Sequence, residues 1–277
     1  MITEAVVESR NYSHKVRYGN RAIKKRRCRR KIVQKHCESR APPIALQTLY
    51  DACKQVFKGP GTVPFPQDVD RLCHIIDKMK PEDVGLSSQL QFFKPKPIVT
   101  GTPRVSTTTI YKCGEFSLCI FFLPANAVIP LHNHPGMTVF SKLLLGTMHI
   151  KSYDWVTPPE EEDLSPPSNV KLARLVVDSV FEAPCNTSVL YPTTGGNMHQ
   201  FTAITPCAVL DVLGPPYSVE DGRDGSYYKD YPYDSFSNGE MKEGEGYGWL
   251  EEIEMPENSE MTGIEYLGPQ IVENKIC

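Results

Sequence analysis

The 277 residues are 40% hydrophobic and 23% charged, the balance of a chain that folds around an apolar core rather than of a disordered or fibrous one. Nine cysteines, an odd number without C-x-x-C spacing, argue against a disulfide framework and for reduced thiols in a cytosolic or nuclear compartment. The most apolar stretch, 117–131, is broken by Pro124, Asn126 and Pro130, which excludes a membrane-crossing helix there, and the first residues lack the apolar core of a secretory signal. The protein is therefore expected inside the cell, in nucleus and cytoplasm.

The net charge of -3 conceals an asymmetry. Residues 1–37 hold twelve Lys and Arg against two Glu, while the remainder holds eighteen against thirty-one acids, so a basic tail precedes an acidic body. Lys24 to Lys31 is a dense basic block, and a segment that repels itself and buries little is expected to be disordered over residues 1–40. A nuclear import signal, a contact to nucleic acid or another anionic surface, and a solvated tail without a role are the readings open to it.

Helical periodicity begins after Pro42-Pro43. Leu46, Leu49, Cys53, Val56 and Phe57 share one face, and Gly59 supplies a stop. Asp68 can cap a second helix whose Val69, Leu72, Ile75, Ile76 and Met79 share a face, ended by Pro81. His74 lies beside that face and is read as a packing or surface residue.

From Gln91 the texture changes to short runs rich in β-branched and aromatic residues. Strands are expected at Thr107–Tyr111, Phe116–Leu123, Val128–His134, Thr138–Leu145, Thr147–Tyr153, Val170–Val177, Ser188–Tyr191, Met198–Ile204 and Ala208–Leu213. Cys113-Gly114-Glu115 and Pro124-Ala125-Asn126 punctuate them as turns, and an acidic, Pro-rich loop from Thr157 to Ser168 interrupts them. Many short strands without long intervening helices indicate an antiparallel sandwich or barrel. Beyond Pro215, Tyr217, Tyr227, Tyr228, Tyr231 and Tyr233 are read as packing over the barrel mouth, with Trp249 and Ile264 to Ile271 as a closing strand.

His132 and His134 stand one residue apart within the third of these runs. In an extended chain they share a face, with Asn133 opposed, which makes half a metal site. His199 follows a Gly-rich turn, Thr193 to Asn197, that can return it to the pair. Three neutral imidazoles bind a divalent transition metal and leave positions open. Between His134 and Asp154 there is no acid, so the local carboxylate of a two-histidine-one-carboxylate site is missing. An all-imidazole site leaves the full charge on the metal, favouring an anionic ligand such as a thiolate. His149, without a partner at matching parity, is read as structural.

Leu131 to Met137, Tyr191-Pro192 through His199-Gln200-Phe201, and Leu210-Asp211-Val212-Leu213-Gly214-Pro215-Pro216-Tyr217 together resemble the plant cysteine oxidases, cupin thiol dioxygenases related to animal cysteamine dioxygenase, over residues 44–271. The resemblance implies an all-β cupin core, a double-stranded β-helix or jelly-roll barrel, in a domain of residues 41–277 with short N-terminal helices. It implies Fe(II) on His132, His134 and His199, O2 as co-substrate, and Thr138 where other cupins carry a Glu. It also implies that Asp211 holds the substrate amine or a group bound at the metal, and that Tyr217 donates a hydrogen bond in the pocket. The substrate it implies is a protein with an exposed N-terminal cysteine, such as an ethylene-response transcription factor, oxidised to the sulfinic acid as an oxygen signal for the arginine N-degron pathway. Neither membrane nor nucleic acid is an expected partner. Relatives often carry Cys where Gly225 stands, so the thioether that this Cys can form with a Tyr in the animal relative is excluded here. A small-thiol dioxygenase, a non-enzymatic cupin whose basic tail meets nucleic acid, and a zinc or manganese cupin are the alternatives.

Overall fold

The computed structural model describes residues 44–94, 103–156, 167, 169–236, 246–257 and 259–273. The basic tail, most of the 157–168 loop and the residues between 94 and 103 lie outside them.

Among the described residues two helices come first, α1 (Ile44–Val56) and α2 (Pro66–Asp77), followed by short 3-10 turns and then by strands. The strands are β1 (Ser106–Lys112), β2 (Ser117–Leu123), β3 (Val128–His132), β4 (Thr138–Leu145), β5 (Thr147–Trp155), β6 (Val170–Glu182), β7 (Ser188–Leu190), β8 (Met198–Ala203), β9 (Cys207–Gly214), β10 (Tyr227–Pro232), β11 (Tyr247–Ile253) and β12 (Thr262–Gly263). One sheet runs β12-β1-β2-β9-β4-β7, and the other closes on itself as β10-β11-β6-β5-β8-β3. Every pairing is antiparallel except β1 with β12. Few helices, short strands and a closed ring give the all-β cupin barrel that the strand pattern predicts.

The central strands β2, β9 and β4 of the first sheet are covered on both faces, and strand alternation explains how. Leu118 and Ile120 of β2, Phe140 and Leu144 of β4, and Ala208, Leu210 and Val212 of β9 pack against Leu46, Leu49, Leu72 and Ile76 of the helices. The intervening positions of β9, Val209, Asp211 and Leu213, therefore turn the other way. Val209 joins a second apolar cluster with Leu123, Ile129 and Phe201, while Asp211 and Leu213 line the principal cavity. All of β9 is consequently buried. Gly214 ends that strand where a side chain cannot fit: a Cβ there would overlap the Phe57 ring.

Several boundaries differ from the sequence reading. Asp68 does not cap α2, because Pro66 occupies the first turn and moves the cap to Phe65, three residues earlier, leaving Asp68 inside the helix. β6 extends to Glu182. The tyrosines beyond Pro215 do not simply cover the mouth: Tyr227, Tyr228 and Tyr231 belong to β10. Trp249 closes the barrel from within β11, which pairs with β6 and β10. Ile264 to Ile271 is not a strand; the last pairing stops at Gly263, and beyond it Pro269 in the Gly-Pro-Gln run has no N–H to give a ladder.

Candidate metal centre

β3 ends at His132, so strict alternation does not extend to His134. A register shift between Ile129 and His132 resets the pairing with β8 and sets His132 directly opposite His199. The chain then leaves the strand and turns at Pro135-Gly136, where Gly136 takes φ 65°. His134 arrives beside the other two from that turn rather than by parity.

Its position is fixed by Asn197, a residue the sequence reading passed over. The Asn197 amide accepts the His134 backbone N–H at 3.2 Å and donates to the His134 carbonyl at 3.0 Å and the Tyr191 carbonyl at 2.7 Å. Asn197 is itself held by Asp154, a buried acid that accepts the backbone N–H groups of Gly195, Gly196 and Asn197 at 2.9, 2.9 and 3.0 Å. Successive N–H groups converge in this way because Gly195 and Gly196 take φ of 83° and 81°, a conformation glycine adopts without a Cβ penalty. Consecutive glycines were the available signal for such an anion-accepting turn. The Gly-rich approach to His199 and the peptide of His134 thus form one hydrogen-bonded unit.

Within it, one ring nitrogen from each of His132, His134 and His199 lies within 4.8 Å of the others. His134 Nε2 and His199 Nε2 are 3.1 Å apart. That separation suits two nitrogens each about 2.1 Å from one ion, so this pair fits a common ion and His132 lies within reach of it. Tautomers follow from the outer partners. His132 Nδ1–H donates to the Pro130 carbonyl at 2.8 Å, which leaves Nε2 as the lone-pair atom. Tyr217 O–H donates to the Asn133 carbonyl at 2.9 Å and lies 2.8 Å from His134 Nδ1. The phenol has one proton, so with that proton on the carbonyl it accepts from His134 Nδ1–H and leaves His134 Nε2 bare. Partners of this kind orient metal-bound imidazoles.

Burial depresses the basicity of all three rings, and charge on a neighbouring imidazole pushes His134 and His199 lower still. They are neutral near pH 7, the form that binds a metal. Among the described residues no carboxylate joins the cluster. Thr138 is fully buried in β4 and its hydroxyl has no partner.

A cavity of about 700 Å³ opens beside the rings, and Asp211 and Tyr217 line it together with them. Asp211 is 3% exposed and its Oδ1 has no hydrogen-bond partner. Burial raises its carboxyl from 3.8 to about 7, against a smaller opposing effect of the Ser141 hydroxyl. Gly225 also lines the cavity; a Cβ on it would stand 3.1 Å from Tyr217 Cε1. Two other described histidines lie elsewhere. His149 pairs with Asp178 at 2.6 Å on β5, which fits a structural role, and His74 lies 2.8 Å from Lys78 Nζ.

Barrel and rings together define a cupin with an all-imidazole centre able to hold a metal. The PCO_ADO family model matches residues 75–271. The chain is 50% identical over 263 residues to plant cysteine oxidase 2 of Arabidopsis thaliana, covering 92% of each chain. It is 49% identical to plant cysteine oxidase 1 of the same plant, covering 82% of this chain and 80% of that one. Against the 2-aminoethanethiol dioxygenase of Mus musculus it is 34% identical, over 61% of this chain and 71% of the relative. The chain belongs to the PCO_ADO family and is a thiol dioxygenase.

Proposed function

We propose that the enzyme is Fe(II)-dependent and oxidises the N-terminal cysteine of target proteins. The thiol and O2 combine as R–SH + O2 → R–SO2H, so both oxygen atoms end on sulfur and no other reductant is consumed. The observation that carries the reading is the pairing of three neutral imidazoles with one orphaned buried carboxylate across the same cavity. Bound iron supplies a Lewis acid for the thiolate and the redox chemistry for O2. His132, His134 and His199 would hold it.

The chain's own groups do the rest. Asp211 offers its free Oδ1 to the substrate ammonium, and a cation beside a buried carboxylate favours its charged form. That fixes the amine and hence the cysteine side chain relative to the rings. Tyr217 keeps His134 in the tautomer that presents Nε2. Phe121, Ile129 and Leu213 line the cavity with apolar surface, which keeps water from the reacting sulfur.

Sulfinic acid formation is not reversed by thiols, so the product suits a commitment step. We read it as an oxygen signal that sends regulators such as ethylene-response factors into the arginine N-degron pathway, with the enzyme in nucleus and cytoplasm and its residues 1–40 as the import segment. The cavity volume favours a peptide terminus over a small aminothiol, which would leave most of about 700 Å³ empty. Iron-loaded enzyme incubated with O2 and a short Cys-initiated peptide should add two oxygen atoms to it. Faster oxidation of free cysteamine than of the peptide would assign the small-thiol reaction instead.

A further inference from the structure

The cavity carries more negative charge than one amine requires. Besides Asp211 at its buried end, it is lined by Asp224 and Glu252, both exposed, and by no Lys or Arg among the described residues. The two outer acids come from different elements, Asp224 from the loop before β10 and Glu252 from β11. Each takes one short-range bond: Asp224 Oδ1 accepts the Gly225 N–H at 3.1 Å, and Glu252 Oε1 accepts the Ser226 hydroxyl at 2.7 Å. Neither forms an ion pair among the described residues. Ile253, Met255 and Met261 supply apolar surface in the same cavity, which suits the methylene stem of a long basic side chain.

We infer that Asp224 and Glu252 form a subsite for a Lys or Arg side chain at one of the two residues following the substrate cysteine. The inference rests on the proposed oxidation of N-terminal cysteine. Asp211, Asp224 and Glu252 line one cavity, and an extended peptide advances about 3.3 Å per residue, so a substrate whose amine sits at Asp211 has its next residues available to the outer acids. Two carboxylates facing one cation in partly exposed surroundings raise kcat/KM by about threefold to tenfold, chiefly through KM and more strongly at low salt.

The test compares Cys-initiated peptides that differ only in Arg or Gln at each of those two positions, using the iron-loaded full chain at about 20 mM and about 500 mM salt. The expected result is an Arg-over-Gln preference at low salt that shrinks at high salt and falls towards unity in the Asp224→Asn, Glu252→Gln double variant. Binding of the matching Ser-initiated peptides, which cannot be oxidised, gives a readout independent of turnover. Equal kcat/KM for Arg and Gln peptides, or a preference unchanged in the double variant, overturns the subsite. Absence of oxidation with every peptide, alongside charge-selective binding of the Ser peptides, would instead overturn the functional reading and leave the subsite standing.

Discussion

Replacing Asp211 by Asn in the metal-free protein should make it more stable at alkaline pH. The carboxyl is raised from 3.8 to about 7 because it is buried with Oδ1 unpartnered. A raised carboxyl means that the folded state binds more protons than the unfolded one between those values. Stability from this group is therefore greatest at low pH and is lost as pH rises through the window, the loss being complete above the folded value. A shift of roughly three units at about 1.36 kcal/mol each makes the full loss about 4 kcal/mol. Asp211→Asn cannot ionise, so its advantage over the wild type should grow to a few kcal/mol near pH 8 and vanish near pH 4, on the order set by that shift. Urea denaturation at both pH values measures it. Saturation with zinc, which is redox-inert, should lower the carboxyl and move the wild-type loss to lower pH. A variant that is destabilised equally at both pH values would refute the reasoning, because the folded carboxyl would then titrate as it does in the unfolded chain.

Tyr217→Phe removes the hydroxyl beside His134 Nδ1 and should weaken metal binding about tenfold to a hundredfold in a chelator competition; unchanged affinity would remove Tyr217 from the support of the centre. Asn197→Ala strips three hydrogen bonds from buried backbone around His134 and Tyr191 and should cost about 2–4 kcal/mol in urea denaturation. A loss below about 0.5 kcal/mol, the range of ordinary surface substitutions, would contradict that role. Gly196→Ala combines φ 81° with a Cβ only 2.5 Å from Ser152 Oγ, and should lower Tm by at least about 3 °C, since the left-handed conformation alone costs about 1–2 kcal/mol.

Much of the architecture was legible because its causes are local. Runs rich in β-branched and aromatic residues between turn signals marked β1 through β9 to within two residues, except that β6 runs five residues further, to Glu182. The helix faces were legible because Leu46, Leu49, Leu72 and Ile76 recur at helical spacing. β10 was not read as a strand and β11 only through Trp249, since tyrosine, glycine and acids carry no clear alternation and the partners β3 and β6 are distant in sequence. The three histidines were visible as residues, yet the reason His134 reaches the others was not. It depends on a strand end, a Pro-Gly turn and the Asn197–Asp154 network, and hydrogen bonds from side chains to loop backbone leave no periodic trace. The paired outer acids were hidden for a similar cause, being 28 positions apart in sequence as numbered and joined only across β10 and β11.

The central claim is that three imidazoles without a carboxylate support oxidation of a peptide's N-terminal cysteine. Its most direct test is the mass of a Cys-initiated peptide after exposure to O2 and iron-loaded protein, wild type beside His199→Ala. The peptide should gain two oxygen atoms with the wild type and none with the variant. Full activity in His199→Ala, or a wild type that binds iron yet leaves the peptide unchanged, would contradict the claim.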